Sequence, residues 1–407
     1  MPIRQGAAPS IARMSGDLSD EQEALRQVVR DFADKVIAPN AGEWDRNHTF
    51  PLDVVHGMGE LGLFGLPFPE EYGGGGADFT TLCVAIEELG RVDQSVGATL
   101  SAGVGLGANP IFRFGTEEQR QTWLPDLLAG RRLAAFGLTE PDAGSDAGAT
   151  RTRAVRDGGS WVIDGTKAFI TNSGTPITSV VTVAARTDGT TERAPEGRPG
   201  PGGRGPISAF LVPAGTAGFS VEPAYRKLGW HASDTHGLTF EACRVPAENL
   251  LGEEGNGLKQ FLAILDEGRI AISALAVGLI QACLDESVAY AKGRNAFGGP
   301  IGRNQAVAFK CADMAVAVEV ARTLTYRAAR LKDHGLPFRQ EAAVAKLYST
   351  EAAVSAAREA TQIHGGAGFM DETPVARYYR DAKILEIGEG TSEIQRLVVA
   401  RGLGLPV

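Results

Sequence analysis

The spacing of hydrophobic residues changes twice along this 407-residue chain, and this limits the folds open to it. In residues 18–134 apolar residues recur at helical spacing, as in EQEALRQVVRDFADKVI, and Ser19 precedes acidic residues that suit a first helical turn. In residues 135–254 short β-rich runs such as SVVTVAART alternate with turn residues. Helical spacing returns in residues 255–407. The pattern predicts an α+β protein with an all-α N-terminal domain, a middle antiparallel β domain and a C-terminal domain like a four-helix bundle.

Three segments carry further structural predictions. Residues 1–17 contain two arginines but no apolar run, so we expect a disordered tail without a secretory signal and a cytoplasmic protein. Residues 187–206 are rich in glycine, proline and charge, which predicts a mobile surface loop. The stretch from Leu258 to Arg294 fits either one very long helix or two, and it is too interrupted by polar residues to predict a membrane span.

Composition excludes several classes of function. Lysine and arginine total 40 against 49 acidic residues, a net charge of −9 that disfavours nucleic acid as the main partner. The four cysteines are far apart and are expected to be free thiols, and no histidine spacing predicts a metal site. A literal GxGxxG at Gly200–Gly205 lies inside the predicted mobile loop, without the strand and helix that a dinucleotide site requires.

Two segments could carry chemistry on their residues alone. LTEPDAGSDAG, from Leu138 to Gly148, is a glycine-rich turn whose backbone N–H groups could meet a polar ligand, although an ordinary turn has the same pattern. Near the C-terminus, Glu389-Gly390-Thr391 separates two helical runs. A carboxylate at such a break can either project into a cleft or remain solvated.

Six short motifs stand out along the chain: FGLTEPDAGSD (136–146), FITN (169–172), LDEGR (265–269), RNAFG (294–298), QIHGGAGF (362–369) and EGTSEIQR (389–396). In this order and at these separations they resemble the acyl-CoA dehydrogenase family over nearly the whole chain. The resemblance implies the fold of that family and FAD as the cofactor.

The family pattern implies where FAD would bind. Backbone groups of Leu138 and Thr139 would meet the edge of the flavin ring, Phe169 would pack on the ring, and Thr171 would hydrogen-bond flavin N5. Glycines near residue 365 would allow close approach to the pyrophosphate and adenosine side. The full set of implied cofactor-binding residues is Phe136, Leu138, Thr139, Ser145, Phe169, Thr171, Arg294, Phe297, Gln305, Gln362, Ile363, Gly365, Gly366, Thr391 and Glu393.

Arg294, Phe297 and Gln305 resemble residues that contact the FAD of a second subunit. A dimer would then be the smallest competent unit, and a homotetramer is the usual assembly in the family. The resemblance also implies electron-transfer flavoprotein as the partner that reoxidises the flavin. We expect neither a nucleic-acid partner nor a membrane.

Glu389 matches the catalytic base of the family. It would take the α proton of an acyl-CoA while the β hydride goes to flavin N5, giving a trans-2-enoyl-CoA. The thioester oxygen would accept hydrogen bonds from the Glu389 backbone N–H and the FAD ribityl 2′-hydroxyl, and burial would strengthen the base. The implied substrate-binding residues are Ser145, Asp266, Arg269 and Gly390, with a structural ion pair as the alternative for Asp266 and Arg269.

Some members carry the base on an earlier helix, at the position that is Gly268 here. Many members also have tyrosine where this chain has Gly388, so the acyl cavity is either wider near Cα and Cβ or filled by another side chain. Rival interpretations are an acyl-CoA oxidase, which typically has an extra helical domain, a decarboxylating glutaryl-type dehydrogenase, and a non-catalytic DNA-associated relative. The acyl group itself is not predicted, and a carrier-protein thioester stays open.

Overall fold

The computed structural model describes residues 18–187 and 205–406. The predicted tail at 1–17 and nearly all of the predicted loop at 187–206 lie outside the described residues. Within the described ranges the chain forms a helical part, a sheet and a second helical part in that order. The predicted fold class is therefore confirmed.

Seven helices form the N-terminal part. The first begins where the sequence predicts, because the Ser19 hydroxyl accepts from Gln22 N and the Gln22 side chain accepts from Ser19 N, a reciprocal cap of the first turn. Two π-helical stretches, 33–37 and 102–108, extend the helices that precede them. The seven helices are α1 (Asp20–Phe32), α2 (Ala38–Asn47), α3 (Leu52–Glu60), α4 (Phe79–Val92), α5 (Gln94–Ser101), α6 (Asn109–Phe114) and α7 (Glu117–Leu128).

The middle part is one eight-stranded sheet with the order β6-β7-β3-β2-β4-β5-β8, and β1 pairs with β4. Most pairs are antiparallel, but β1 runs parallel to β4, and β2 meets β4 in parallel at one register position. The sheet is therefore mixed at this point, because β1 enters it directly from the helical part. The strands are β1 (Leu133–Gly137), β2 (Arg153–Asp157), β3 (Ser160–Thr171), β4 (Thr178–Arg186), β5 (Ile207–Pro213), β6 (Phe219–Val221), β7 (Thr235–Pro246) and β8 (Leu250–Leu251).

Long helices dominate the C-terminal part. The stretch that fitted one helix or two is a single helix, α8 (Gly257–Gly293), whose middle is apolar on all sides and buried. It packs against α4, α9 and α10 and is the central helix of the molecule. A small hairpin of β9 (Asn295–Ala296) and β10 (Gly299–Pro300) follows, and the remaining helices are α9 (Gln305–Asp333), α10 (Arg339–His364), α11 (Pro374–Leu385) and α12 (Ser392–Gly402).

One large apolar cluster joins the two helical parts to one face of the sheet, and a second lies on the β domain. All four cysteines are free, and three are buried. In residues 18–187 and 205–406 no helix has the length and apolar character needed to cross a bilayer. The same residues contain no cluster of histidine, cysteine and carboxylate side chains suited to a metal ion.

Candidate functional site

The turn between α11 and α12 bends the chain sharply at Glu389 and Gly390. Both residues have left-handed backbone angles, with φ of 51° at Glu389 and 93° at Gly390. A glutamate rarely adopts this conformation, so its presence in a turn indicates a constraint from outside the turn. Thr391 then caps α12 by accepting from Ile394 N at 3.3 Å. In the described part of the chain, the Glu389 backbone N–H has no acceptor.

The Glu389 carboxyl group lies against α8 at Gly268. A Cβ atom placed on Gly268 would stand 1.6 Å from Glu389 Oε2, so only glycine leaves room for the carboxyl group there. Glu389 Oε2 is buried and has no hydrogen-bond partner. The residue as a whole is half-buried, so the carboxyl group sits at the inner end of a partly accessible turn. A side chain at position 268 and the Glu389 carboxyl group would therefore occupy the same space. These are the two positions that the family resemblance gives for the base.

Burial makes this carboxyl group a stronger base than an exposed glutamate. Desolvation raises the pKa of Glu389 to about 7, against smaller opposing effects from the charges of Lys346 and Arg269. An unpartnered carboxylate has lone pairs free to accept a proton from a ligand. The group is thus poised to exchange a proton near neutral pH.

Two buried side chains hold the peptide between Gly390 and Thr391, one residue after the glutamate. Lys346 Nζ on α10 donates to the Gly390 carbonyl at 2.7 Å, and Gln395 Nε2 on α12 donates to the same oxygen at 2.8 Å. Both side chains are fully buried. Sequence reasoning missed both residues, because their spacing is that of ordinary helix positions.

The predicted pair Asp266 and Arg269 lies on α8 beside the glutamate. Arg269 is buried and its Nη1 donates to Asp266 Oδ1 at 2.5 Å, so the structural ion pair is present. Glu267, to which the sequence assigned no role, accepts from Asn109 Nδ2 at 3.0 Å and from Arg113 Nη1 at 2.5 Å. It therefore ties α8 to α6.

A bulge in β3 turns Phe169 out of the sheet. Its φ is 62°, the pairing of β3 with β7 shifts between Lys167 and Ile170, and 65% of the Phe169 side chain is exposed. The neighbouring Ala168 N–H donates to Thr139 O at 2.9 Å. Bulges of this kind change the direction of side chains. Here the bulge places an aromatic ring on the surface beside the glycine-rich turn at 138–148 (the LTEP turn).

A buried ion pair supports this face of the β domain. Lys167 Nζ lies 2.7 Å from Glu140 Oε1 and 3.2 Å from Leu138 O, and the lysine is fully buried. Glu140 also accepts from the Arg151 and Thr152 backbone N–H groups. These contacts therefore fix the start of the predicted glycine-rich turn. The residue spacing of the turn did not indicate this support.

Three predicted residues lie at the far end of α8. Arg294 follows Gly268 by about 26 residues, or roughly 39 Å of helix. Phe297 and Gly298 form the two-residue loop of the β9–β10 hairpin, both with positive φ, which leaves the Phe297 ring fully exposed at the tip. Gln305 is exposed at the start of α9.

The QIHGGAGF motif meets this hairpin end. His364, at the end of α10, stacks on Tyr290 of α8 with ring centroids 4.2 Å apart. Gln362, Gly365 and Gly366 are exposed there, whereas Ile363 is buried. The structure thus brings the 294–305 and 362–366 segments together, far along α8 from Glu389.

The remaining predicted residues are spread around these two regions. Phe136 is buried and packs on Phe261, with ring centroids 4.3 Å apart. Ser145 is exposed on the LTEP turn, Thr171 ends β3 opposite Thr235, and Glu393 is exposed in the first turn of α12.

The described chain combines a three-part fold with a buried, unpartnered carboxylate and an exposed aromatic residue. Three family models match most of the chain: the acyl-CoA dehydrogenase N-terminal domain at 19–131, the middle domain at 135–243 and the C-terminal domain at 255–404. The chain belongs to the acyl-CoA dehydrogenase family. The predicted family and enzyme class are therefore confirmed.

Individual relatives agree. A probable acyl-CoA dehydrogenase of Bacillus subtilis, YngJ, is 50% identical over 96% of this chain and 100% of its own length. Butyryl-CoA dehydrogenase from Megasphaera elsdenii has a TM-score of 0.89 and 40% identity, covering 95% of this chain and 99% of that one. A chain from a structure of the electron transferring flavoprotein of Acidaminococcus fermentans has a TM-score of 0.89 and 41% identity, with the same coverage.

The Gly268 contact generates the first prediction. Gly268→Ala is expected to lower kcat/KM at least about 100-fold, because the added methyl group displaces the Glu389 carboxyl group. Gly42→Ala, at a helical glycine whose added Cβ would meet only Arg46 at 3.5 Å, is the matched control and should retain activity. Steady-state kinetics and thermal melting check both variants. A Gly268→Ala enzyme as active as the control would mean that the carboxyl group has no fixed place on α8.

Proposed function

We propose that the protein is an FAD-dependent dehydrogenase that converts a short-chain acyl-CoA to the trans-2-enoyl-CoA. The observation that carries the proposal is the Glu389 carboxyl group, buried without a partner and with a pKa raised to about 7 by desolvation. The butyryl-CoA dehydrogenase likeness supports a short acyl chain.

The residues present fit FAD. Phe169 offers an exposed ring beside the LTEP turn, suited to an aromatic ring system. Gly365 and Gly366 have no atom within 4 Å of the place where a Cβ would stand, so a phosphate group can approach their backbone closely. Leu138, Thr139 and Thr171 would complete the flavin contact. When bound, FAD supplies the acceptor for the hydride that leaves the β carbon of the substrate.

Glu389 performs the acid–base part of the reaction. Its free Oε2 takes the proton from the substrate α carbon. The raised pKa of Glu389 narrows the difference in pKa between the carboxyl group and the α C–H of the substrate. The Glu389 backbone N–H, which has no acceptor in the described chain, donates to the thioester oxygen and stabilises the charge that develops there. Gly268 keeps the carboxyl group in place throughout.

The assembly follows from the length of α8. The hairpin with Arg294 and Phe297 lies roughly 39 Å along the helix from the base, too far to reach a flavin at Glu389 of the same chain. We infer that this end, together with Gln305 and residues 362–366, contacts the FAD of a second subunit. A dimer is then the smallest active unit, and a homotetramer is the proposed assembly.

Electron transferring flavoprotein is the proposed acceptor. The likeness to a chain from a structure of that flavoprotein supports this choice. Asp266 and Arg269 are proposed to meet the CoA part of the substrate, in addition to the ion pair that they form with each other.

Replacing the base tests the proposal directly. Glu389→Gln should keep the fold and a yellow, FAD-loaded protein but reduce turnover by about 10²–10⁴, because an amide cannot accept the α proton. The measurement is anaerobic bleaching of the flavin by butyryl-CoA. Bleaching at the wild-type rate would remove Glu389 from the role of base, and a wild-type protein that takes up no FAD would overturn the function.

The second-subunit contact predicts a linked loss. Arg294→Ala should weaken FAD retention and subunit assembly together, because the arginine sits at the exposed hairpin end of α8. FAD content and size-exclusion mass are measured side by side. Arg132→Ala, at an exposed arginine before β1, is the control and should alter neither. Full FAD content with an unchanged oligomer would make Arg294 a plain surface charge.

Gly388 bears on which acyl groups fit. A Cβ at Gly388 would meet only Ile384 O, at 3.5 Å, so the space directly around the glycine is not taken by another side chain. Its φ is not in the left-handed region, so a larger residue is allowed there. We infer that the cavity beside the base is wider than in relatives with tyrosine.

Gly388→Tyr should therefore reduce kcat/KM for branched acyl-CoAs more than for straight ones, by about 10-fold or more in the ratio, since one methylene in an apolar pocket is worth about 1–3 kcal/mol. Isobutyryl-CoA and butyryl-CoA are compared in wild type, Gly388→Tyr and Gly388→Ala, with alanine as the small-side-chain control. An unchanged branched-to-straight ratio in the tyrosine variant would contradict a wider cavity.

A further inference from the structure

Lys346 is a buried lysine for which neither the fold nor the motifs account. It lies in the middle of α10 and is fully buried, a rare state for lysine because its ammonium group loses hydration. Within residues 18–187 and 205–406 it forms no ion pair with a carboxylate; its ammonium donates to the Gly390 carbonyl at 2.7 Å. A buried cation that bonds no carboxylate, next to the proposed base, needs a reason.

We propose that Lys346 is a positioning residue for the reaction: its bond to the Gly390 carbonyl holds the turn immediately after Glu389, and its buried charge favours the carboxylate form of Glu389. This inference rests on the proposed role of Glu389 as the base. It assigns to Lys346 no contact with substrate.

The first part follows from the backbone. Glu389 holds a left-handed φ of 51°, which costs a non-glycine residue free energy unless its neighbours enforce it. The Gly390 carbonyl accepts from both Lys346 and Gln395, which come from different helices. A carbonyl bonded by two donors from different helices has little freedom to rotate, so the Gly390–Thr391 peptide is held and limits the movement of the turn that carries Glu389. The lysine bond is charge-assisted and is the stronger type of donor.

The second part follows from the charges around the carboxyl group. Lys346 and Arg269 are the two cations that lower the pKa of Glu389, and Lys346 has the larger effect. Arg269 is bonded to Asp266, which cancels part of its field. Glu386 and Glu393 face Lys346 as well and favour its charged form, whereas Arg269 opposes it. Burial still lowers the pKa of Lys346 to about 8.

The geometry explains why a lysine bonded to backbone suits this role. A direct ion pair would occupy the Glu389 oxygens and hold the pKa far below neutrality, which would leave a weak base. Here Lys346 is bonded to a carbonyl, so its charge acts on Glu389 through space while Oε2 stays free. Burial raises the pKa of Glu389 and lowers the pKa of Lys346, so both groups titrate closer to neutral pH than they would in water.

The test is the pH dependence of kcat/KM, which reports the pKa of groups in the free enzyme. In wild type, activity should fall as pH drops through about 7, where Glu389 becomes protonated. Removing a nearby cation raises the pKa of a carboxyl group. In Lys346→Met and Lys346→Gln the fall in kcat/KM at acid pH (the acid limb of the profile) should therefore move upward by about one pH unit. Lys346→Gln keeps a hydrogen-bond donor but not the charge. It should therefore show the same shift of the acid limb as Lys346→Met and a smaller loss of kcat. Lys346→Arg, which keeps the charge, should restore the limb toward wild type.

Lys227→Met is the matched control. Lys227 is also a largely buried lysine, with a pKa lowered to about 8, but it bonds Thr235 and Ser233 in the β domain. Lys227→Met should leave the acid limb of the kcat/KM profile at the wild-type pH. FAD content and melting temperature establish that each variant is folded, and the comparison of Gln with Arg stands if Met fails to fold.

The outcomes separate this inference from the proposed function. A limb that stays at the wild-type pH in both Lys346→Gln and Lys346→Met, while Glu389→Gln is inactive, overturns the role of Lys346 alone. An active Glu389→Gln enzyme overturns the proposed base, and the role of Lys346 with it. A limb that moves equally in Lys227→Met shows a general effect of buried charge and also contradicts the inference.

Discussion

The contact between the Glu389 carboxyl group and Gly268 of α8 is the constraint on which the site depends. It joins the central helix to a turn that is 121 residues further along the chain, and it exists only because position 268 has no side chain. The contact buries Oε2, and burial raises the pKa to about 7. Without this close approach the carboxyl group would be an ordinary surface acid.

The rest of the molecule gives this contact its rigidity. The middle of α8 is buried among α4, α9 and α10, so Gly268 is fixed within a packed core. Lys346 and Gln395 fix the other side through the Gly390 carbonyl. The same long helix extends to the hairpin that carries Phe297, so most of its length separates Gly268 from the end that we propose contacts a second subunit. One helix therefore connects the proposed base to the proposed contact between subunits.

Local sequence patterns predicted the features that depend on local physics. Helical and strand spacing predicted the three-part fold and the Ser19 cap. The patterns left open whether α8 was one helix or two, because helical spacing alone does not mark a break within a long run. They also missed the parallel pairing of β1 with β4, which depends on how β1 enters the sheet.

The residues of the candidate site show the same difference between features with a local sequence pattern and features without one. Glu389 stood out because a helix break exposes a carboxylate, and the family resemblance gave it a role. Gly268 was noticed only as the alternative base position, and Lys346 was not noticed, because both occupy unremarkable helix positions. Their importance comes from contacts between residues distant in the chain, such as Lys346 with Gly390, and the Lys167–Glu140 pair beneath the LTEP turn was missed for the same reason. Such contacts have no local signature.

The central claim is that Glu389 removes the α proton, and proton exchange measures this step alone. A thioester analogue with sulfur in place of the β carbon has no β hydride to transfer, so only proton abstraction can proceed. In ²H₂O the wild-type enzyme should exchange the α hydrogens of this analogue for deuterium, followed by NMR. Glu389→Gln should slow the exchange at least about 100-fold while retaining FAD. Exchange at the same rate in both proteins would contradict the account.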